Sequence, residues 1–157
     1  DSFKKNFLNK LKKNYPIIVM EKLKDPVFDL DIIASNGRLD YALLRKRLNS
    51  RDPNSGHKII KRKDIKIIAS KITSILKLNS INDCDFMVDR KNNLKLLEIN
   101  PRPSGSFAIP NLVNIDLLDY VIKKSLFKNI KLKVKKITKD IIITKKYLNK
   151  LYAKKNP

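Results

Sequence analysis

The stretch from Cys84 to Ser106, CDFMVDRKNNLKLLEINPRPSGS, constrains the fold more than any other part of the chain. Runs rich in Phe, Val, Leu and Ile flank the turn-forming Arg90-Lys91-Asn92-Asn93, so Asp83 to Asp89 and Leu94 to Ile99 read as an antiparallel hairpin. If Asp89 faces Leu94, or Arg90 faces Asn93, paired residue numbers sum to 183 and Asp85 lies directly opposite Glu98. A tighter turn at Asn92-Asn93 pairs Asp85 with Asn100 instead. Any even loop keeps Asp85, Glu98 and Asn100 on one face, because side chains alternate with a period of two.

Carboxylates placed opposite each other repel, and a fold avoids that unless a cation or a shared proton compensates. A hard divalent ion is the simplest compensation. Magnesium takes oxygen ligands, uses one or two protein carboxylates, and completes its shell with water and phosphates. Asp85, Glu98 and the Asn100 amide oxygen supply such a set. Spacing alone is equally compatible with an exposed hairpin whose acids are simply solvated.

The run LLEINPRPSG, preceded by CDFMVD, closely resembles the metal-binding end of ATP-grasp enzymes, and among them proteins like the carbamoyl phosphate synthetase large subunit. The resemblance spans roughly Tyr15 to Lys124 and implies the C-terminal subdomain of an ATP-grasp fold: α+β, an antiparallel sheet with flanking helices. It implies ATP and magnesium as cofactors, or manganese in its place, with Asp85, Glu98 and Asn100 as metal ligands. It places Arg102 near the transferred phosphoryl group, as the catalytic residue, and Met87 as an apolar wall against adenine. Glu21-Lys22-Leu23, in the run VMEKL, resembles the hinge whose backbone reads the adenine edge. A strand end on the surface is the plain alternative there. The implied activity is that of a carboxylate-amine ligase, with a small carboxylate and an amine as substrates.

Size and charge bound the remaining choices. A chain of 157 residues with 42% hydrophobic residues in segmented runs can bury a core as one domain, 1–157. No apolar run approaches the roughly 18 residues of a membrane span and no signal peptide is recognisable, so a cytoplasmic protein with no membrane partner is expected. The net charge of +21 raises polyanion binding as the alternative function, that of a non-catalytic basic module. Its make-up argues against a nucleic-acid partner: 29 of the 36 basic residues are Lys, and aromatics do not interleave with them. Residues 121–157 carry 13 Lys against Asp140 alone, so about 128–157 reads as a basic C-terminal extension with a solvated face.

Along the chain, Phe3, Phe7, Leu8 and Leu11 recur at helical spacing over Ser2 to Asn14. Ile17 to Met20 reads as a short buried strand and Lys24-Asp25-Pro26 as a turn. Phe28 to Ser35 alternates, with Asp29 and Asp31 on one face, and turns at Ser35-Asn36-Gly37 into a partner strand, Arg38 to Arg47. Arg45 and Arg47 share a face and are candidates to meet ATP phosphates or a substrate carboxylate, with an exposed basic strand as the alternative. Many relatives place a Glu or His where Val27 stands, to contact ribose; this chain departs there.

Asn49 to His57 reads as a polar loop with a surface histidine. Asp64 to Leu78 reads as a helix with a buried stripe of Ile67, Ile68, Ile72, Ile75 and Leu76, packed beneath the central hairpin. Pro103 to Ser106 offers hydroxyls and amides to an anion. Asn114 to Leu126 reads as a helix capped by Asn114, Ile130 to Thr144 as one or two strands, and Tyr147 to Lys154 as a short helix. Cys84 reads as a small core residue. Nothing before Tyr15 matches the lysines and glycine-rich loop that cover the phosphates in ATP-grasp enzymes. The expected partner is therefore a missing N-terminal part of the same enzyme, without which this stretch is inactive.

Overall fold

The computed structural model describes residues 2–12, 16, 18–52, 54–127, 130–132 and 141–144. Six strands, β1 (Lys24–Ser35), β2 (Arg38–Arg47), β3 (His57–Ile59), β4 (Ser80–Val88), β5 (Leu94–Asn100) and β6 (Ile141–Ile143), form an antiparallel sheet. Their order is β5-β4-β1-β2-β3-β6. β1 and β2 turn at Asn36-Gly37, both with positive φ (49° and 76°). That pair is favoured there because a two-residue hairpin loop needs left-handed backbone at both positions.

Alternation gives the sheet two unlike faces. On one, Phe28, Leu30, Ile32 and Ala34 of β1 meet Leu44 of β2 and Cys84, Phe86 and Val88 of β4 in the main core. Each large side chain buried there contributes roughly 1.5–3 kcal/mol. Helix α1 (Ser2–Lys12) stands apart with no buried residue, and α2 (Ile65–Ile75) covers the core face. On the other face, Ile33 and Ile81 pack with Phe107, Ile115, Leu117 and Tyr120. Those residues come from α4 (Leu117–Leu126) and from the segments that lead into it and into α3 (Ile109–Leu112). This cap stops short of the polar residues at the other end of β1 and β4.

The hairpin reaches its register by an unexpected route. Next to the turn, Val88 pairs with Leu94 and Phe86 with Leu96, one residue off the expected pairing, because the Asp89–Asn93 loop has an odd length. Asp89 fixes that loop, its Oδ1 accepting from the backbone N–H groups of Lys91 (2.8 Å) and Asn93 (2.9 Å). An irregularity between Asp85 and Phe86 takes up Leu97 as an extra residue, after which Asp85 pairs with Glu98 and Asp83 with Asn100. Leu97 is 44% exposed.

Other expectations give way to the tertiary structure. The segment expected as a buried strand, of which residues 18–20 are described, is exposed and outside the sheet. The expected turn at Lys24-Asp25-Pro26 is the start of β1, where Lys24 pairs with Val88 across an irregularity that ends at Phe28. α2 lies against β2, not under the β4–β5 hairpin. It buries Ala69 and Thr73, with Ile65, Ile68 and Ile72 packed beside them, and exposes Ile67, Ile75 and Leu76. Small residues on the inward stripe let the helix approach the sheet closely, so they and not the isoleucines set its rotation.

α4 starts at Leu117, capped by Asp116 through a 2.8 Å bond from the Asp119 N–H and not by Asn114, and α3 was not foreseen. Within Ile130 to Thr144 the described strand is β6; the Tyr147 to Lys154 helix and most of the basic extension lie outside the described residues. Among the described residues no helix is long and apolar enough to cross a membrane.

Candidate active site

The face left open by α3 and α4 carries two Asp-x-Asp pairs side by side. Asp29 and Asp31 of β1 lie opposite Asp85 and Asp83 of β4, and Glu98 and Asn100 of β5 continue the two rows. From the other side, β2 contributes Arg45 and Arg47, and β3 contributes His57.

The β1 acids are fully engaged. Arg45, 0% exposed, grips Asp31 with two bonds, Nε to Oδ2 at 2.8 Å and Nη2 to Oδ1 at 2.9 Å. Its remaining donors reach the Ser106 and Ser104 hydroxyls. Ser104 in turn donates to Asp31 Oδ1 at 3.3 Å. Arg47 donates to Asp29 through Nε (3.1 Å to each oxygen) and Nη2 (2.6 Å), and His57 Nδ1 lies 3.3 Å from Asp29 Oδ2. Burial alone would raise the Asp29 carboxyl, but the bonds from His57 and Arg47 and the charges of Arg45 and Arg47 outweigh it and hold it well below the usual carboxylate range.

The β4 acids are not. Asp83 is 6% exposed, and its buried Oδ1 has no hydrogen-bond partner. Burial, followed by the charges of Asp31, Asp85 and Asp29, pushes its carboxyl up to about 7. Asp85 Oδ2 accepts from Arg47 Nη2 at 2.8 Å, while its Oδ1 is buried and unpartnered. Desolvation outweighs the Arg47 charge, with Asp29 adding repulsion, and the Asp85 carboxyl is also raised. An unpaired buried carboxylate oxygen is costly, and it calls for a partner that the chain itself does not supply, a water, a ligand or an ion.

These acids floor a pocket of ≈ 190 Å³ whose rim includes Glu98, Asn100 and Arg102. Glu98 is exposed and its Oε1 accepts from Asn100 Nδ2 at 2.9 Å, so of the Asn100 amide it is the oxygen that could serve as a ligand. The exposed Arg102 donates through Nη1 to the Pro103 carbonyl at 3.0 Å. Asp85, Glu98, Asn100, Arg102 and Arg47 therefore meet at one pocket. The donor set, all oxygen with two orphaned carboxylate atoms beneath it, fits a hard divalent cation.

Other expected site residues stand elsewhere. Arg45 is sealed beneath the pocket as the counter-ion of Asp31, so it presents no donor to a phosphate there. The Ser104 and Ser106 hydroxyls, expected to hold an anion, are buried and bonded to Arg45. His57 is no surface loop residue: it opens β3 and is buried between Arg45 and Asp29. Gly56 makes this possible, because at φ 125° it brings β3 so close to β6 that any Cβ would collide with the Ile143 carbonyl oxygen. Met87 is half-buried on β4, opposite Lys95. Glu21, Lys22 and Leu23 precede β1, with Glu21 Oε2 4.0 Å from Lys95 Nζ. Asp83 was missed; its place in an Asp-x-Asp pattern with Asp85 was the available signal.

An antiparallel sheet flanked by helices, with an acidic pocket where a Glu-Ile-Asn-Pro-Arg strand ends, places this chain in the ATP-grasp class. Over residues 13–147 the sequence matches the family described as ATP-grasp in the biosynthetic pathway with Ter operon, and the chain belongs to that family. The match runs past Lys124, where the motif-bearing stretch ends. No curated protein matches the chain. Membership brings an ATP-dependent, ligase-type function, and ATP-grasp proteins use ATP and magnesium.

Proposed function

We propose that this pocket serves ATP-dependent activation of a carboxylate as an acyl phosphate, in the manner of carbamoyl phosphate synthetase, for ligation to an amine. The observation that carries the reading is the row Asp29–Asp85–Glu98, in which like charges are held side by side and the Asp85 Oδ1 atom is left open beneath the pocket.

In this reading a carboxylate oxygen of the substrate bonds to the γ-phosphorus as the bond to the bridging oxygen breaks and ADP leaves. The amine nitrogen then attacks the acyl carbon, phosphate departs, and the nitrogen gives up a proton. Asp85, Glu98 and Asn100 would hold magnesium, which would supply neutralisation of charge on the phosphate oxygens. Arg102, on the rim with donors to spare, faces the transferred group. Arg47 keeps Asp85 from turning away. Met87 lies two residues along β4 from Asp85, about 7 Å, and the Glu21–Lys95 contact brings residues 21–23 to that same end. A nucleotide lying along β4 would thus have adenine against Met87 and the Glu21-Lys22-Leu23 backbone, and its phosphates at the acids. The cytoplasmic setting, and a small carboxylate and an amine as the two substrates, belong to the same proposal.

The test is a screen of small carboxylates with ATP, magnesium and hydroxylamine, on the intact protein. The expected result is a hydroxamate with stoichiometric ADP, reduced roughly 10²- to 10³-fold by Glu98→Gln. Release of AMP and pyrophosphate in place of ADP would overturn acyl phosphate chemistry.

A further inference from the structure

We propose that Asp83, with Asp85 and Asp29, forms a deep divalent-cation position beneath the rim made by Asp85, Glu98 and Asn100. The proposal shares Asp85 with the functional reading above and rests on it only to that extent.

Three observations carry it. Asp29, Asp83 and Asp85 each offer a carboxylate oxygen, and these atoms lie within 4.8 Å of one another. A hard divalent ion with oxygen ligands at about 2.1–2.4 Å spans about 4.2–4.8 Å between opposite ligands, so the three fit one ion with small adjustments. Second, Asp83 lines the pocket with a side chain 6% exposed whose Oδ1 is buried and unpartnered, and Asp85, which also lines it, has its Oδ1 buried and unpartnered. The oxygens of Asp31, by contrast, are taken up by Arg45, while those of Asp29 already accept from Arg47 and would be shared with the ion. Third, the charges do not balance within the protein. With all four aspartates on this face ionised, Arg45 and Arg47, leaving His57 aside, fall two positive charges short. One divalent cation supplies both.

The position differs from the rim in two physical respects. It is deep in the sheet, where a charge interaction is screened less than at the exposed Glu98. Its three protein carboxylates would hold an ion without phosphate, with water completing the shell, so it would fill before nucleotide arrives, whereas the rim would need phosphate oxygens. Arg47, bonded to both Asp29 and Asp85, lies at its edge and keeps their carboxylates from swinging apart when the ion is absent.

The experiment is Mn²⁺ binding by electron paramagnetic resonance on the intact protein, first without and then with a non-hydrolysable ATP analogue. The wild type is expected to bind Mn²⁺ without nucleotide. Asp83→Asn should weaken that binding about tenfold or more, while Glu98→Gln leaves it within about threefold and instead loses the ion that comes with nucleotide. Thermal melts in EDTA accompany each variant. Asp83→Asn should melt at the same temperature or higher, because it removes an uncompensated buried charge. Nucleotide-free binding that is absent from the wild type or indifferent to Asp83→Asn, or a lower melting temperature for that variant, would overturn the deep position. None of these touches the functional reading, which instead falls if the nucleotide-linked ion survives Glu98→Gln.

Discussion

β1 and β4 carry the same short pattern, Asp29-Leu30-Asp31 and Asp83-Cys84-Asp85, on the same face of the same sheet, and the two pairs have opposite electrostatic fates. Beside β1 runs β2, which places Arg45 and Arg47 a diagonal step away, so both acids become half of a buried ion pair. Beside β4 runs β5, which offers Glu98 and Asn100, one more acid and an amide. Asp83 and Asp85 each retain an unpartnered oxygen. The local sequence makes four acids on one face, and the neighbouring strand decides whether an acid is structural or poised for a cation. A net charge of +21 over the whole chain does not alter this, because a counter-ion must be within a few ångströms of a buried carboxylate to offset its desolvation.

The strongest way to break the comparison is at Arg45. Arg45→Met should leave Asp31 buried and unpaired, with Ser104 and Ser106 deprived of a donor, and cost about 3–5 kcal/mol in urea unfolding. Removing Asp31 at the same time should recover much of that loss. A single-variant loss below about 1 kcal/mol would mean that the β1 acids are no more structural than those of β4.

The pH dependence should sharpen the contrast, because Asp83 and Asp29 are shifted in opposite directions. Asp83 has its carboxyl raised from 3.8 to about 7, so the folded protein binds a proton that the unfolded chain has released. The stability this provides is present below about 4 and is lost as pH rises toward 7. In EDTA a fall in stability across that window is expected. Asp83→Asn should flatten it, as should added Mn²⁺. Asp29 is lowered, so its contribution is present above about 4 and disappears as pH falls below the ordinary carboxylate range. Stability titrations of wild type, Asp83→Asn and Asp29→Asn separate the two limbs. A descending limb that persists in Asp83→Asn would assign it to another group.

The smallest effect is expected at Asp85, which stands between the two conditions with one oxygen on Arg47 and one unpartnered. Asp85→Asn should leave metal-free protein as stable or more stable by roughly 0.2–1 kcal/mol, since it relieves repulsion from Asp29 and Glu98. Activity of the intact enzyme should be abolished. A loss of stability with activity retained would move Asp85 into the structural class beside Asp29.

Much of the site was legible because it rests on local pattern. The strands of β1, β2, β4 and β5 follow from alternation, the β1–β2 turn from Asn36-Gly37, and the Glu98-to-Arg102 run carried the family by itself. The pairing of Asp85 with Glu98 was legible for an incomplete reason. The Asp89–Asn93 loop is odd, which by alternation should turn Glu98 to the opposite face, and the extra residue at Leu97 turns it back. No count of residues shows a bulge in advance, because its cause is the packing of the strand after the turn. The rotation of α2 was hidden for a related reason: isoleucines on several faces satisfy a helical period in more than one way.

What the sequence determined by itself was which residues are acidic, which alternate and which motif closes the hairpin. What only the tertiary structure decided was who neighbours whom across long separations. Asp29 meets Asp85 from 56 residues away, and Arg45 meets Ser106 from 61. His57, read as a loop residue, is buried because β2 and β6 close on either side of it. A carboxylate's role depends on the charges and donors within about 4 Å of it, and on a sheet of this order those come from other strands and from loops far along the chain.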